Sequence, residues 1–368
     1  MKRKLISVLC CVAMVSSLFA GCGGGDTTAD AGAPAADAGA NASADGAGGS
    51  GSAAGHTYAI VTKSQGNPFN ERTAQGFQEV IEAEGGTCIV RHPSAPTADA
   101  QVTEIQSLIS QGVDSICVAA NDENALQAVL EEAMSAGIKV SCLDSKTNPD
   151  SRMTFVNQAG VSEIGQALID AVYDLCGGEG QWAILSATSQ AANQNAWIAA
   201  MQEIMESDSK YANLELVEIA YGDDEPQKST DQTSALLTNY PDLRVICAPT
   251  TVGIAAAAKV LQDQGSSVKL TGLGLPSEMA EYIGDDDAHS CPYMFLWNPI
   301  DLGRLGAYTS IALVDGSITG AAGETFKAGS MEASPYTIVD ADDGGTEIIL
   351  GQPFRFDASN INDWKDVY

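Results

Sequence analysis

From residue 57 to residue 316 the chain alternates between two apolar patterns. The short runs "TYAIVTK", "TCIVRHP", "SICVAA" and "KVSCLD" are continuous, β-branched and bounded by turn residues, which predicts buried strands at 57–63, 87–93, 115–120 and 139–144. Between them, "NERTAQGFQEVIEAEG", "ADAQVTEIQSLISQG" and "ENALQAVLEEAMSAG" place apolar residues at helical spacing and end in Gly85, Gly112 and Gly137, as left-handed caps prefer. Short apolar strands separated by helices imply a parallel sheet covered on both faces.

The pattern then restarts. "MTFVNQ", "QWAILSA", "ELVEIAYG", "RVICAPT", "VKLTGLGLP" and "CPYMFLWN" read as strands. The intervening helices are "SEIGQALIDAVYDLCGG", one beginning near Asn193, "QKSTDQTSALLTNYP", "VGIAAAAKVLQDQG" and "SEMAEYIGDD", with "DLGRLGAYTSIALVDG" after the last strand. Two successive α/β halves of similar size, with no long linker, predict two doubly wound parallel-sheet lobes sharing a hinge.

The first 55 residues do not follow either pattern. Lys2, Arg3 and Lys4 precede a short apolar run that ends in "FAGC", a secretory signal over 1–21 rather than a membrane span. The ending resembles a bacterial lipobox, with Phe19 where leucine is usual; this implies cleavage before Cys22 and lipidation of its thiol. Residues 22–55 are rich in Ala, Gly and Asp, too poor in large apolar groups to fold, and read as a flexible tether. A lipid followed by a tether predicts an extracytoplasmic body anchored to a membrane by the lipid alone. An ordinary cleaved signal is the plainer reading of the same residues.

The net charge of −30 becomes −33 once the three basic residues leave with the signal. That excludes a nucleic-acid partner, which needs a basic surface, and docking on anionic lipid by charge. Of nine cysteines, Cys88, Cys117, Cys142, Cys176, Cys247 and Cys291 lie in the body. They form no C-x-x-C pair, so zinc and thioredoxin-type motifs are absent. Three lie within strand-like runs and read as buried thiols, although disulfides stay open.

Catalytic signatures are missing: no G-x-S-x-G, no P-loop, no H-E-x-x-H, and only His56, His92 and His289, far apart. The acid runs at 223–224 and 285–287 read as solvated turns. No cofactor is called for and the chain is not expected to be an enzyme. What stands at the strand ends is polar and aromatic, where open α/β sheets bind ligands. In order these are Lys63, Asn67 and Phe69; Asn121; Asp144; Asn193, Gln194 and Asn195; Pro249, Thr250 and Thr251; Gly274; then Trp297 and Asn298. Planar amides and carboxylates grip neighbouring hydroxyls, and aromatic rings cover the C–H face of a sugar, so the set fits a small neutral polyol. Each has a structural alternative. For Asp144 the alternative is to cap a following segment, for Lys63 to end a strand in solvent, and for Asn193 to cap the helix that follows. Trp197 falls on that helix's apolar stripe and reads as core. Phe69 and Trp297 divide between core and ligand.

Five segments carry a family resemblance: "ILSATSQAANQNAWI", "YGDDEPQKS", "APTTVGIAAAAK", "TGLGLPSEM" and "LWNPIDLG". From about Tyr58 to Tyr368 the chain resembles the type I periplasmic binding proteins of bacterial ABC sugar importers, and within them the rhamnose-binding branch. Autoinducer-2 receptors are close relatives, but they carry Asp where this chain has Asn193 and a different pair in place of Thr250–Thr251. The resemblance implies that Lys63, Asp144, Asn193 and Gln194 hydrogen-bond sugar hydroxyls and that Phe69 and Trp297 pack on the ring or its methyl. The backbone at Pro249–Thr251 and the Asn298 side chain would close the far wall. It further implies a monomer that hands rhamnose to an ABC permease, with an autoinducer-2 or other sugar receptor feeding a signalling system as the alternative and a sugar-active enzyme as a remote one. The chain is expected to cross between lobes near Gln158, Asn298 and Pro335. The N-terminal lobe is then 56–158 with 299–335, and the C-terminal lobe 159–298 with 336–368.

Overall fold

The computed structural model describes residues 52–368. The expected signal, Cys22 and most of the tether lie outside the described residues. The tether ends earlier than expected. Ala53 is fully buried, fills the space that a side chain at Gly86 would need, and accepts a hydrogen bond from the His56 amide. A methyl facing a glycine packs closely, so these last tether residues join the folded body.

The first half forms β1 Thr57–Val61, α1 Pro68–Ala83, β2 Thr87–Arg91, α2 Ala98–Gln111, β3 Ser115–Val118, α3 Gln127–Ser135, β4 Lys139–Leu143 and β5 Thr154–Asn157. Its strands are parallel in the order β2-β1-β3-β4-β5. Both faces are covered, and the period of two sorts the side chains. Tyr58 and Ile60 enter one core; Ala59 and Val61 enter another with Ile105, Leu108 and Leu130 of the helices α2 and α3. Each fully buried Ile or Leu contributes about 1.5–3 kcal/mol. Helix α3 starts later than expected because the Asp122 carboxylate accepts the Asn124 and Ala125 amides and folds them into a turn.

The second half forms α4 Val161–Cys176, β6 Gly180–Ser186, α5 Ala192–Ser207, β7 Leu214–Tyr221, α6 Pro226–Asn239, β8 Leu243–Ala248, α7 Thr251–Asp263, β9 Lys269–Gly272, α8 Pro276–Met279 and β10 Tyr293–Leu296. Strands β7-β6-β8-β9 are parallel, and a bridge from Leu273 to Phe295 carries the sheet on to β10. The helix expected over 277–286 is a single turn, α8; past it, Ile283 bridges Cys291 and Asp286 accepts the Ala288 amide in a tight turn.

The remainder is α9 Pro299–Asp315, β11 Thr325–Phe326, β12 Tyr336–Thr337, β13 Val339–Asp340, β14 Thr346–Ile349, β15 Phe354–Asp357 and α10 Ile361–Trp364. Helix α9 lies against α1 backbone to backbone. A β-carbon at Gly303 would stand 1.9 Å from the Thr73 carbonyl oxygen, and one at Gly76 2.0 Å from that of Ile300. Strand β14 pairs parallel with β5, and β13 antiparallel with β14, so both extend the first sheet. The crossing expected near Pro335 therefore falls after Ile349, and only residues from β15 onward, which pairs with β10, join the second sheet. An ion pair, buried on the arginine side and half-buried on the aspartate side, anchors this segment: Arg152 donates to both oxygens of Asp343, at 2.9 and 2.7 Å, in the turn between β13 and β14. The six body cysteines are free; Cys88 is half-buried and the others are buried. Among the described residues no helix is long and apolar enough to cross a membrane.

Candidate ligand-binding site

In the first sheet the strand order reverses between β1 and β3, and in the second between β6 and β8. Such switch points leave a crevice beyond the carboxyl ends of the strands. One cavity with about 380 Å³ of empty space, counting its open mouth, is lined from both halves. The first half contributes Lys63 after β1, Asn67, Phe69 and Asn70 at the start of α1, and Asp144 after β4. The second contributes Asn193, Gln194 and Trp197 of α5, Asp224 after β7, Pro249, Thr250 and Thr251 after β8, Leu273, Leu296 and Trp297.

A polar network joins the two sides. The Lys63 ammonium donates to Asn193 Oδ1 at 2.7 Å and stands 3.6 Å from Asp144 Oδ2. The Asn193 amide nitrogen approaches both Asp144 oxygens at 3.4 Å. Lys63, Asp144 and Asn193 are all buried. Asn193 is not a cap: α5 begins at Ala192, one residue before it, so its amide is free to turn inward. Asp144, the first residue past β4, holds a left-handed backbone, φ 62°. Burial holds this carboxylate above the ordinary range, and the neighbouring lysine and its hydrogen bond only partly pull it back. Asn67 does cap α1, accepting the Phe69 and Asn70 amides, and so fixes Phe69 at the rim of the cavity.

Aromatic rings form the opposite wall. Trp297 meets Phe69 edge to face with centroids 6.2 Å apart, and Trp197 with centroids 5.7 Å apart. Trp197, read from its stripe as core, is buried in the core and also faces the cavity. Two residues of the lining each bury a polar atom without a protein partner: Gln194 Oε1, an acceptor, and Trp297 Nε1, a donor. Buried polar groups are normally satisfied, so an unmet acceptor and an unmet donor on residues of one cavity lining are candidate bonding positions for a hydroxyl-bearing molecule.

Four residues of the expected strand-end set stand elsewhere. Asn121 donates to the Lys63 carbonyl at 2.9 Å and takes its own amide bond to Gln101, so it fixes the end of β1 from behind. Gly274 packs where a side chain would strike Met294 and Met279. Asn298 caps α9 through the Ile300 and Asp301 amides. Asn195 turns outward to the Ser189 carbonyl. Conversely, Leu273, Leu296 and Asp224 were not expected. Asp224 belongs to an acid run that reads as a solvated turn, yet its carboxylate accepts the Thr250 hydroxyl inside the cavity. Burial raises its pKa too, with Thr250 and Lys63 opposing the shift. The only local signal was its neighbour proline, Pro226, which starts α6 and ends the loop at the strand's carboxyl end. Among the described residues no group of His, Cys, Asp and Glu is arranged to hold a metal ion.

Comparison with known proteins places these features. The model of the periplasmic binding protein domain matches residues 58–318. The fold is similar to that of an ABC transporter solute-binding protein from Clostridium phytofermentas solved with bound L-rhamnose. That protein is 59% identical, the match covers 85% of this chain and 99% of that one, and the TM-score is 0.84. LsrB from Clostridium saccharobutylicum, solved in complex with AI-2, is 21% identical over 84% of this chain and 99% of its own, with a TM-score of 0.77, and shares the fold. The D-ribose/D-allose-binding protein of Pseudomonas aeruginosa is 27% identical over 159 residues, 40% of this chain; the match spans about half (47%) of that relative's length. With its two parallel-sheet lobes of the type I fold, this chain belongs to the periplasmic binding protein family, and it is a binding protein rather than an enzyme.

Proposed function

We propose that this protein is the extracytoplasmic sugar-binding subunit of an ABC importer and that its ligand is L-rhamnose. The observation that carries this reading is the cavity between the two sheets, which sets hydrogen-bonding side chains against an aromatic wall. Lys63, Asp144, Asn193 and Gln194 would bond the hydroxyls, and Trp297 Nε1 would donate to a ring or hydroxyl oxygen. Phe69 and Trp297 would cover the C–H face and the 6-methyl group. The backbone at Pro249–Thr251 would close the far wall. The similar protein with bound L-rhamnose supports the choice of sugar.

Binding would draw the two lobes together about the connections at 158–160, 297–298 and 350–353, because a ligand touching both sides stabilises the closed arrangement over the open one. A permease then recognises the closed form. The lipobox-like "FAGC" supports anchoring through Cys22, which would tether the protein outside the membrane. Titration calorimetry with L-rhamnose, D-ribose and autoinducer-2 tests the ligand. Heat with L-rhamnose at micromolar or lower Kd is expected. Binding of another sugar in its place removes the rhamnose assignment, and binding of autoinducer-2 alone turns the reading to a signal receptor.

A further inference from the structure

Asp144, Asp223 and Asp224 are the only non-glycine residues with positive φ among the described residues. A residue with a β-carbon holds that conformation only where its surroundings impose it, and such positions gather at ligand clamps. Asp144 already faces the cavity from one lobe. Asp223 and Asp224, at φ 54° and 53°, lie in succession in the loop between β7 and α6. Their side chains diverge. Asp223 turns to Lys228 on the surface, while Asp224 turns into the cavity. The loop is held to its sheet by the Gly222 amide on the Ser186 carbonyl and the Asp223 amide on that of Ala187, at 2.9 and 3.1 Å.

Asp224 has one protein partner among the described residues, the Thr250 hydroxyl on Oδ1. Thr250 is the N-cap residue of α7 but makes no side-chain cap bond; its hydroxyl serves Asp224 instead. A carboxylate offers about four acceptor positions, so most of this capacity, Oδ2 included, has no protein partner among the described residues, and the residue lines the cavity.

We infer that Asp224 is a ligand-binding residue in its own right: its Oδ2 accepts a hydroxyl hydrogen from a neutral sugar that Asp144 grips from the opposite lobe. The inference rests on the sugar-binding reading of this cavity. The ligand is then held by one carboxylate from each lobe, and both bonds form together only when the lobes close. The charged groups lining the cavity are Lys63, Asp144 and Asp224, one cation against two anions. Such a lining favours hydroxyl donors and rejects aldonates, uronates and sugar phosphates, whose own anions would meet unpaired negative charge.

Asp224→Asn isolates the charge. Asparagine accepts a left-handed backbone readily and still takes the Thr250 hydroxyl on its carbonyl oxygen. The expected result is a thermal midpoint at or above that of wild type and L-rhamnose affinity weakened at least tenfold by calorimetry. Affinity within threefold of wild type, with Asp144→Asn still losing tenfold, overturns the inference and leaves the sugar-binding reading standing. If the wild-type chain binds a different neutral sugar, the same comparison with that sugar tests the inference while the rhamnose assignment alone falls. If the wild-type chain binds no sugar, both fall. Should Asp224→Asn lower the midpoint, Thr250→Val keeps the carboxylate but removes its holder; a loss under threefold there also overturns the inference.

Discussion

Replacing Asp144 by asparagine tests the cavity most directly. Asp144 is only 5% exposed, yet its protein partners are distant: Asn193 at 3.4 Å from each oxygen and Lys63 at 3.6 Å. All three exceed the usual hydrogen-bond length of about 2.7–3.2 Å. The carboxylate therefore keeps most of its acceptor capacity for a ligand, and little protein–protein bonding is lost with it. Lys63 retains its 2.7 Å bond to Asn193 in the variant. What the substitution removes is the charged acceptor for the sugar's hydroxyls, a hydrogen bond to a charged group being worth about 1.5–3 kcal/mol. That corresponds to affinity weaker by roughly 10- to 150-fold. Asparagine fits the left-handed backbone at φ 62°, so the melting temperature should hold, whereas Asp144→Ala should lose the same affinity and a further ~1 kcal/mol of stability. Calorimetry with L-rhamnose, paired with thermal denaturation, reads both. An Asp144→Asn protein that binds within twofold of wild type would refute the placement of the sugar beside this carboxylate.

Other expectations follow from the same geometry. Burial raises Asp144 and Asp224 above the ordinary carboxylate range, so in the free protein they take up protons at a higher pH than exposed carboxylates do. Sugar affinity should therefore decline as pH falls through that raised range, before ordinary carboxylates titrate; affinity flat down to the onset of acid unfolding would count against it. The sign for stability is opposite: a raised folded-state pKa makes the ionised groups a cost at neutral pH, and that cost lifts on acidification. Trp297→Phe removes the unpartnered buried N–H and also gives up ring packing on Phe69 and Trp197, so calorimetry should show affinity lower by about 1 kcal/mol and the urea midpoint should fall modestly with it. Gly303→Ala should cost about 3 kcal/mol or more in urea unfolding, because its β-carbon would strike the Thr73 carbonyl oxygen of α1; an unchanged midpoint would mean that the helices are not in backbone contact. Asp343→Ala leaves the buried Arg152 guanidinium unpaired and should cost about 2–3 kcal/mol, allowing for the partial exposure of Asp343.

The chain's apolar periodicity by itself determined the alternation of strands and helices, because burial on both faces of a parallel sheet demands continuous apolar runs and leaves a local trace. It also determined that side chains such as Lys63 and Asp144 stand at carboxyl ends of strands, since that follows from where each run stops. Tertiary structure alone decided which strand ends share a cavity. Asn121 and Asn298 follow strands as plausibly as Asp144 does, yet one braces β1 and the other caps α9. Asp224 carries the same local signature as a solvated turn; only the left-handed loop and the hydroxyl of Thr250, 26 residues further along, turn it inward. The return of β14 to the first sheet was likewise invisible. A four-residue strand is too short to show a period, and what anchors it is an arginine 191 residues earlier in the chain. Periodicity records which face of an element is buried, whereas partners across hundreds of residues are chosen by packing and charge that no local pattern encodes.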